Sequence, residues 1–231
     1  MGIVGGWLTF EGFSYGLRWL LGAVGAESFS PGVRQAILKV VLVACCLLFW
    51  KFALRRPMGE MGWRRPDRVA WWRWLVLYAV ACLSMGGAAI GMILTGSHHP
   101  VIEGLSFPEI VVLVWFVSSV AEEIFVRGLV QSWMGEGVTT AGGRRAVVLS
   151  SAALFASLHL SLMWLGAGVL GGGIVVGATF GLGWAAASVR SSTNSLWHAI
   201  GVHVVGNIAA VPIGVVGMVL YRVINGHFPV R

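Results

Sequence analysis

The sequence predicts an all-α fold, a polytopic membrane bundle of six to eight transmembrane helices that forms a single membrane domain over residues 1–231. Of the 231 residues, 57% are hydrophobic and only 11% are charged, with a mean hydropathy of +0.83. Soluble domains carry about a quarter charged residues. Several apolar runs reach the roughly 20 residues that an α-helix needs to cross a bilayer. These runs are continuous rather than alternating, which disfavours membrane strands.

Turn sequences divide the apolar runs into separate helices. Polar and glycine-rich breaks at 97–100, 135–143 and 191–195 mark the ends of neighbouring spans. The first segment, 3–25, fits either a weak span or an amphipathic helix on the membrane surface. The six predicted spans are 36–54, 69–95, 109–134, 146–165, 168–189 and 195–220. Within the fifth, we expect a stripe of small residues to pack closely against a neighbouring helix; it comprises Gly173, Gly177 and Gly181.

The basic residues indicate topology and partners. The net charge is +7, and basic residues cluster in the loop 55–68 and at Arg144 and Arg145. Such loops lie on the cytoplasmic side, which places 96–108 outside. This distribution disfavours nucleic-acid binding and favours contact with anionic membrane lipids. The composition also suggests a multi-pass protein of the bacterial cytoplasmic (inner) membrane.

Three charged side chains lie inside the apolar span 109–134. Each costs about 2.5–3.5 kcal/mol at the bilayer centre, so each is a functional candidate. Glu123 and Arg127 are four residues apart and can form an ion pair on one helix face. Glu122 is then left without a partner in its own helix. The structural alternative is that all three make a buried ionic contact between helices.

Further polar residues occur at compatible depths in two other spans. His159 is predicted in the middle of span 146–165, and His203 and Asn207 share one face of span 195–220. A carboxylate and an imidazole on either side of a water molecule can act as general base and acid. A second histidine and an amide can stabilise a developing oxyanion. The set predicts a hydrolase without an obligatory metal or cofactor, although Glu122, His159 and His203 are also an adequate zinc ligand set.

These residues carry a family resemblance. Glu122, Glu123 and Arg127, then Phe155 and His159, then His203 and Asn207 follow one another in the order of a three-motif signature. The pattern resembles the CPBP family, the CAAX protease and bacteriocin-processing group that is also called ABI. The motifs occupy roughly 118–210, within a motif-bearing core of about 105–220.

The resemblance implies a glutamate-type intramembrane endopeptidase that cleaves near protein C-termini. Glu122 and His159 would activate water, while His203 and Asn207 would stabilise the oxyanion. Glu123 and Arg127 would form a supporting pair, and Phe155 would pack beside His159. The substrate would be a peptide or C-terminal segment of a membrane-associated protein, possibly lipidated.

Two other functions fit the same residues. A non-enzymatic bacteriocin-immunity or membrane scaffold protein would use the pocket to bind a peptide. A transporter would use a glutamate–histidine pair as a proton relay. Outside the motifs, His98 and His99 are expected in a solvated turn, and His198 in the core or at a helix interface.

Overall fold

The computed structural model describes residues 30–97, 99, 100, 102 and 104–228, together with five isolated positions nearer the N-terminus. The segment 3–25 falls almost entirely outside the described residues, as does His98. The described residues contain no β-strand, and they form six long helical stretches. The predicted all-α fold is confirmed.

The six helical stretches match the six predicted spans. Five of them, all except α3, are long and apolar enough to cross a membrane. Their bounds are as follows: α1 Pro31–Leu48, continued by a π-helical turn Phe49–Ala53; α2 Trp71–Thr95; α3, 107–134; α4 Ala141–Ser157, followed by a 3₁₀ turn Leu160–Met163; α5 Gly168–Thr193; and α6 Leu196–Asn225.

Helix α3 has an irregular hydrogen-bonding pattern. It begins with Phe107–Glu109, becomes π-helical over Ile110–Ser118, returns to α-helix over Ser119–Glu123, and is π-helical again over Ile124–Gln131. The π-helix is rare and occurs frequently at functional sites. Both central glutamates of α3 therefore lie in a short α-helical piece between two π-helical segments.

Helix α5 is the central element of the bundle. It packs against α2, α4 and α6, while α1 packs alongside α3. The predicted stripe is wrong at two positions, because Gly173 and Gly177 face open space. Only Gly181 lies against a neighbour, Ser84 of α2. Close approach of α5 to α4 occurs instead at Gly183, so the tight face of α5 is rotated from the predicted one.

One end of the bundle is closed by the basic loop between α1 and α2. Arg190 of α5 donates hydrogen bonds to the carbonyl of Glu60, at 3.1 Å, and to Ser132 Oγ, at 3.0 Å. Gly62, with φ +105°, lies directly against the Arg190 guanidinium, where a side chain would collide. The loop 55–68 thus meets the α5–α6 junction on one face, as the alternating topology requires.

Candidate active site

Glu123 is at the centre of a buried polar network. Its side chain is 0% exposed, and its Oε1 lies 3.1 Å from Arg127 Nη1 and 2.9 Å from His203 Nδ1. Because a carboxylate oxygen only accepts hydrogen bonds, the Nδ1 of His203 carries a hydrogen and donates a hydrogen bond to Glu123. The ion pair expected from the i,i+4 spacing is present, and it also orients the imidazole of α6.

Arg127 connects α3 to the two helices behind it. Its Nη2 donates to the carbonyl of Gly183 at 2.9 Å, and its Cζ lies 4.5 Å above the ring of Phe155. A Cβ at position 183 would be 3.2 Å from Arg127 Nη2 and 3.1 Å from Phe155. Position 183 therefore needs a glycine for α5 to approach this pair, a requirement that the sequence analysis missed.

Glu122 has a partner that the sequence did not reveal. Lys39 of α1 donates from Nζ to Glu122 Oε1 at 2.6 Å, across 83 residues of sequence. The other carboxylate oxygen, Oε2, lies 3.9 Å from His203 Nε2, which is too far for a direct hydrogen bond. Glu122 is unpartnered in its own helix, as expected, but it is ion-paired in the folded protein.

His159 lies at a helix end rather than in the middle of a helix, so its predicted position is wrong. Helix α4 ends at Ser157, and His159 has φ −98° and ψ 0°. Its backbone amide donates a hydrogen bond to Ala156 O at 3.0 Å, and its Nδ1 donates one to the carbonyl oxygen of Phe155 at 3.1 Å. The imidazole thus replaces a backbone donor at that carbonyl, which ends the helix. Because Nδ1 donates, Nε2 of the neutral ring is left as an acceptor.

Phe155 brings the two histidines together. Its ring centroid lies 5.2 Å from that of His159 and 5.2 Å from that of His203, with edge-on geometry in both cases. Both histidines are close enough to Glu122 to interact with its charge. The residues that the sequence assigned to three separate spans therefore converge on one place.

Asn207 completes the set from α6. Its Nδ2 donates to Ser119 Oγ at 3.0 Å, one turn before Glu122 on α3. Ser119 is fully buried and was not among the predicted residues. Nδ2 carries a second hydrogen that is available to another acceptor.

A second polar contact between helices lies one turn after Arg127 on α3. Gln131 of α3 donates to the carbonyl of Ala187 at 3.0 Å and accepts from Ser151 Oγ at 3.1 Å. All of these groups are buried, and they join α3, α4 and α5. A lone glutamine in an apolar run could have signalled such a contact, because polar side chains at bilayer depth bond across helices.

The outlying histidines differ from one another. His198 packs against Trp74 of α2, with ring centroids 4.1 Å apart, which agrees with an interface position. His99 is not in a solvated turn, because its Nδ1 is buried without a hydrogen-bond partner. Burial, together with the nearby His159, lowers the pKa of His99 to about 4. His99, in the connection between α2 and α3, therefore lies near His159.

Glu122, His159 and His203 were also predicted to be an adequate zinc ligand set. Within the described part of the chain, no group of three or more His, Cys, Asp or Glu side chains is placed to hold a metal ion. The Nδ1 of His203 is hydrogen-bonded to Glu123, and the Nδ1 of His159 is hydrogen-bonded to the carbonyl oxygen of Phe155. The two glutamates are balanced instead by Lys39 and Arg127.

Comparison with known proteins adds a family to this geometry. Residues 104–209 match the family model described as Type II CAAX prenyl endopeptidase Rce1-like. This segment is therefore similar to the Rce1-like CAAX endopeptidases. The resemblance to the CPBP group is thereby confirmed. No curated protein and no solved structure matches the chain.

The match over residues 104–209 indicates the activity in general terms. Together with the apolar helices, it indicates an integral membrane protease of the CAAX endopeptidase type, and it suggests a membrane-associated protein as substrate. The matched segment runs from the start of α3 into α6 and contains Glu122, His159 and His203. Lys39 lies outside it, on α1.

Proposed function

We propose that this Rce1-like protein is a glutamate-type intramembrane endopeptidase that hydrolyses peptide bonds near the C-termini of membrane-associated proteins. The observation that carries the proposal is the convergence of Glu122 with two imidazoles. Each of these has its Nδ1 anchored, by Phe155 O or by Glu123 Oε1. Anchoring one nitrogen fixes the ring and leaves Nε2 for chemistry.

Glu122 is the proposed general base. A water molecule held between Glu122 and His159 Nε2 would lose a proton to the carboxylate as its oxygen attacks the scissile carbonyl. The same proton then passes to the nitrogen of the leaving peptide. General acid–base catalysis of this kind contributes about 10²- to 10⁴-fold to the rate.

His203 and Asn207 are the proposed oxyanion donors. Since His203 Nδ1 already donates to Glu123, donation from Nε2 requires both ring nitrogens to carry protons. Glu123 Oε1 accepts directly from the same ring and so fixes its orientation. Asn207 would contribute its second amide hydrogen. Arg127 holds Glu123 in place, and Phe155 packs against both imidazoles.

The setting of this chemistry follows from the fold. The substrate would enter the bundle as a C-terminal segment, lipidated or not, from the surrounding bilayer. A bacterial cytoplasmic membrane remains the proposed location, and a single membrane domain the proposed organisation. The immunity or scaffold function becomes an outcome of the test that follows.

The test is a survey of protein C-termini in whole cells, comparing the wild type with Glu122→Gln. This change keeps the size of the side chain and its hydrogen-bonding reach but removes the base. We expect specific C-termini to be lost in the variant while the protein still inserts and accumulates. Mass spectrometry of C-terminal peptides provides the measurement.

Glu136→Gln is the matched control, because Glu136 is an exposed glutamate on the basic face that pairs with Arg56. It should leave all termini as in the wild type. If Glu122→Gln also leaves them unchanged at equal abundance, the peptidase proposal is wrong. A pulldown that recovers an intact membrane peptide would then favour the immunity or scaffold function.

A further inference from the structure

The ion pair between Lys39 and Glu122 joins a helix outside the matched segment to the proposed base. The side chain of Lys39 is 15% exposed and that of Glu122 is 13% exposed, whereas Arg127 and Glu123 are 0% exposed. Lys39 and Glu122 are therefore the charges of the cluster that a bound peptide can reach. At 2.6 Å, the ammonium occupies Glu122 Oε1 in the resting protein.

The proposed reaction changes the charge balance around Lys39. When Glu122 takes a proton from water it becomes neutral, while Lys39 keeps its positive charge. An ammonium group without a counter-charge is strongly disfavoured in an apolar interior. Glu123 is already shared by Arg127 and His203. Lys39 therefore needs another anion during the reaction.

The two oxygens of Glu122 indicate where that anion lies. Oε1 faces Lys39 on α1, whereas Oε2 faces His203 on α6. The oxyanion is assigned to the α6 side chains and so forms on the Oε2 side. The anion that replaces Glu122 must approach from the α1 side and must arrive with the substrate.

We propose that Lys39 is a specificity residue. Its ammonium group moves away from Glu122 and binds the free C-terminal carboxylate of the substrate. The inference rests on the proposed function. Because Lys39 Nζ lies 2.6 Å from the proposed base, the arrangement suits cleavage close to the terminus. Departure of the ammonium frees Oε1 to hold the attacking water.

Lys39 takes part in no covalent step. Water gives a proton to Glu122 and its oxygen to the carbonyl carbon, the C–N bond breaks, and the proton moves to the leaving nitrogen. The products are a new C-terminal carboxylate and a short peptide with a free amine. Lys39 exchanges one ion-pair partner for another and returns to Glu122 when the short peptide leaves.

The experiment compares two substrates with two enzymes in lipid nanodiscs. The probes are one farnesylated CAAX peptide made as the free acid and as the C-terminal amide. We expect the wild type to cleave the acid with a kcat/KM about 30-fold or more above that of the amide. Lys39→Met should bring the ratio close to one and cleave the amide at least as fast as the wild type does. Lys39→Arg should keep part of the preference.

The chain offers a matched control in Lys51, its other lysine, which is exposed at the far end of the same helical stretch. Lys51→Met should preserve the wild-type preference. Equal cleavage of both peptides by the wild type overturns the inference and leaves the proposed function intact. A Lys39→Met protein that unfolds at the wild-type temperature but cleaves both peptides more slowly by the same factor also overturns it. Cleavage of neither peptide by the wild type overturns the proposed function for this substrate, and the inference with it.

Discussion

At the scale of single residues, His159 links the local structure of α4 to the proposed chemistry. Its Nδ1 takes the carbonyl of Phe155, a bond that ends the helix and fixes the ring. The other ring nitrogen, Nε2, is left free of that bond, and the ring lies close enough to Glu122 to interact with its charge. A histidine kept within the regular helix would compete less well for that carbonyl, because the backbone amide four residues on would occupy it.

His159→Asn separates these two functions. The amide of asparagine can replace Nδ1 as donor to the Phe155 carbonyl, but nothing replaces Nε2. We expect peptide cleavage to fall about 10²- to 10⁴-fold. The unfolding temperature of the purified protein should stay close to that of the wild type. Peptide turnover and thermal unfolding, measured on the same preparation, check both expectations.

His198→Asn is the control, since His198 packs against Trp74 away from Glu122. It should retain wild-type turnover. Full activity of His159→Asn would remove His159 from the proposed mechanism.

The sequence could predict those site contacts that depend on local spacing. Glu123 and Arg127 are four residues apart, so their ion pair follows from helix geometry alone. The partner of Glu122 lies 83 residues away on α1, where a single lysine in an apolar run carries no spacing signal. The end of α4 was also invisible, because neither glycine nor proline marks it.

At the scale of elements, the approach of α5 to α3 and α4 depends on one glycine. A Cβ at Gly183 would lie 3.1 Å from Phe155, 3.2 Å from Arg127 and 3.3 Å from Ala152 Cα. The last contact is with backbone, so the helices themselves would have to move apart. The Gly183 carbonyl that holds Arg127 would move with α5.

We therefore expect Gly183→Ala to destabilise the protein by about 1–3 kcal/mol, as overpacking typically does. It should also reduce peptide cleavage, because Arg127 and Phe155 position the site. Unfolding in a denaturing detergent and turnover of the same peptide provide the two measurements.

Gly177→Ala on the same helix is the matched comparison, because a Cβ there has no atom within 4 Å. It should be neutral or slightly stabilising, since alanine is the better helix former. Equal effects of the two substitutions would show that helix propensity, and not close packing, determines the outcome. The sequence pattern had favoured Gly177 because spacing alone does not fix the rotation of a helix in the bundle.

At the scale of the whole molecule, residues of two loops lie against the helices that carry the site. The basic loop docks on the α5–α6 junction through Arg190, and the 96–106 loop places His99 near His159. Apolar length and turn sequences were sufficient to predict the six helical stretches, five of which are long and apolar enough to cross a membrane. Loop packing depends on contacts between distant segments, which is why the sequence suggested a solvated position for His99.

His99 makes the stability of the fold sensitive to acid. Its pKa is about 4 in the folded protein, against an ordinary value of about 6.5. The folded state therefore holds the neutral ring, and the unfolded state gains a proton first as the pH falls. The stability that this group contributes is fully present above pH of about 6.5 and is lost progressively toward pH 4.

We expect the wild-type unfolding temperature to fall more steeply between pH 7 and pH 4.5 than that of His99→Asn. Thermal unfolding in one detergent over that range is the measurement. His227→Asn, at an exposed position beyond α6, should follow the wild-type curve. Parallel curves for wild type and His99→Asn would contradict the buried position of the ring.

The contacts of α3 have a consequence for how the protein is made. Lys39 is synthesised before α3. The Gly183 carbonyl follows Arg127 by 56 residues, and His203 follows Glu123 by 80 residues. When α3 leaves the ribosome, its charged side chains can interact with one another and with Lys39, but not yet with any group of α5 or α6. We therefore expect helix α3 to reach its final place in the bilayer only after the last two helices have emerged. A nascent chain that stops short of α6 would lack the contacts that Arg127 and Glu123 make with Gly183 and His203.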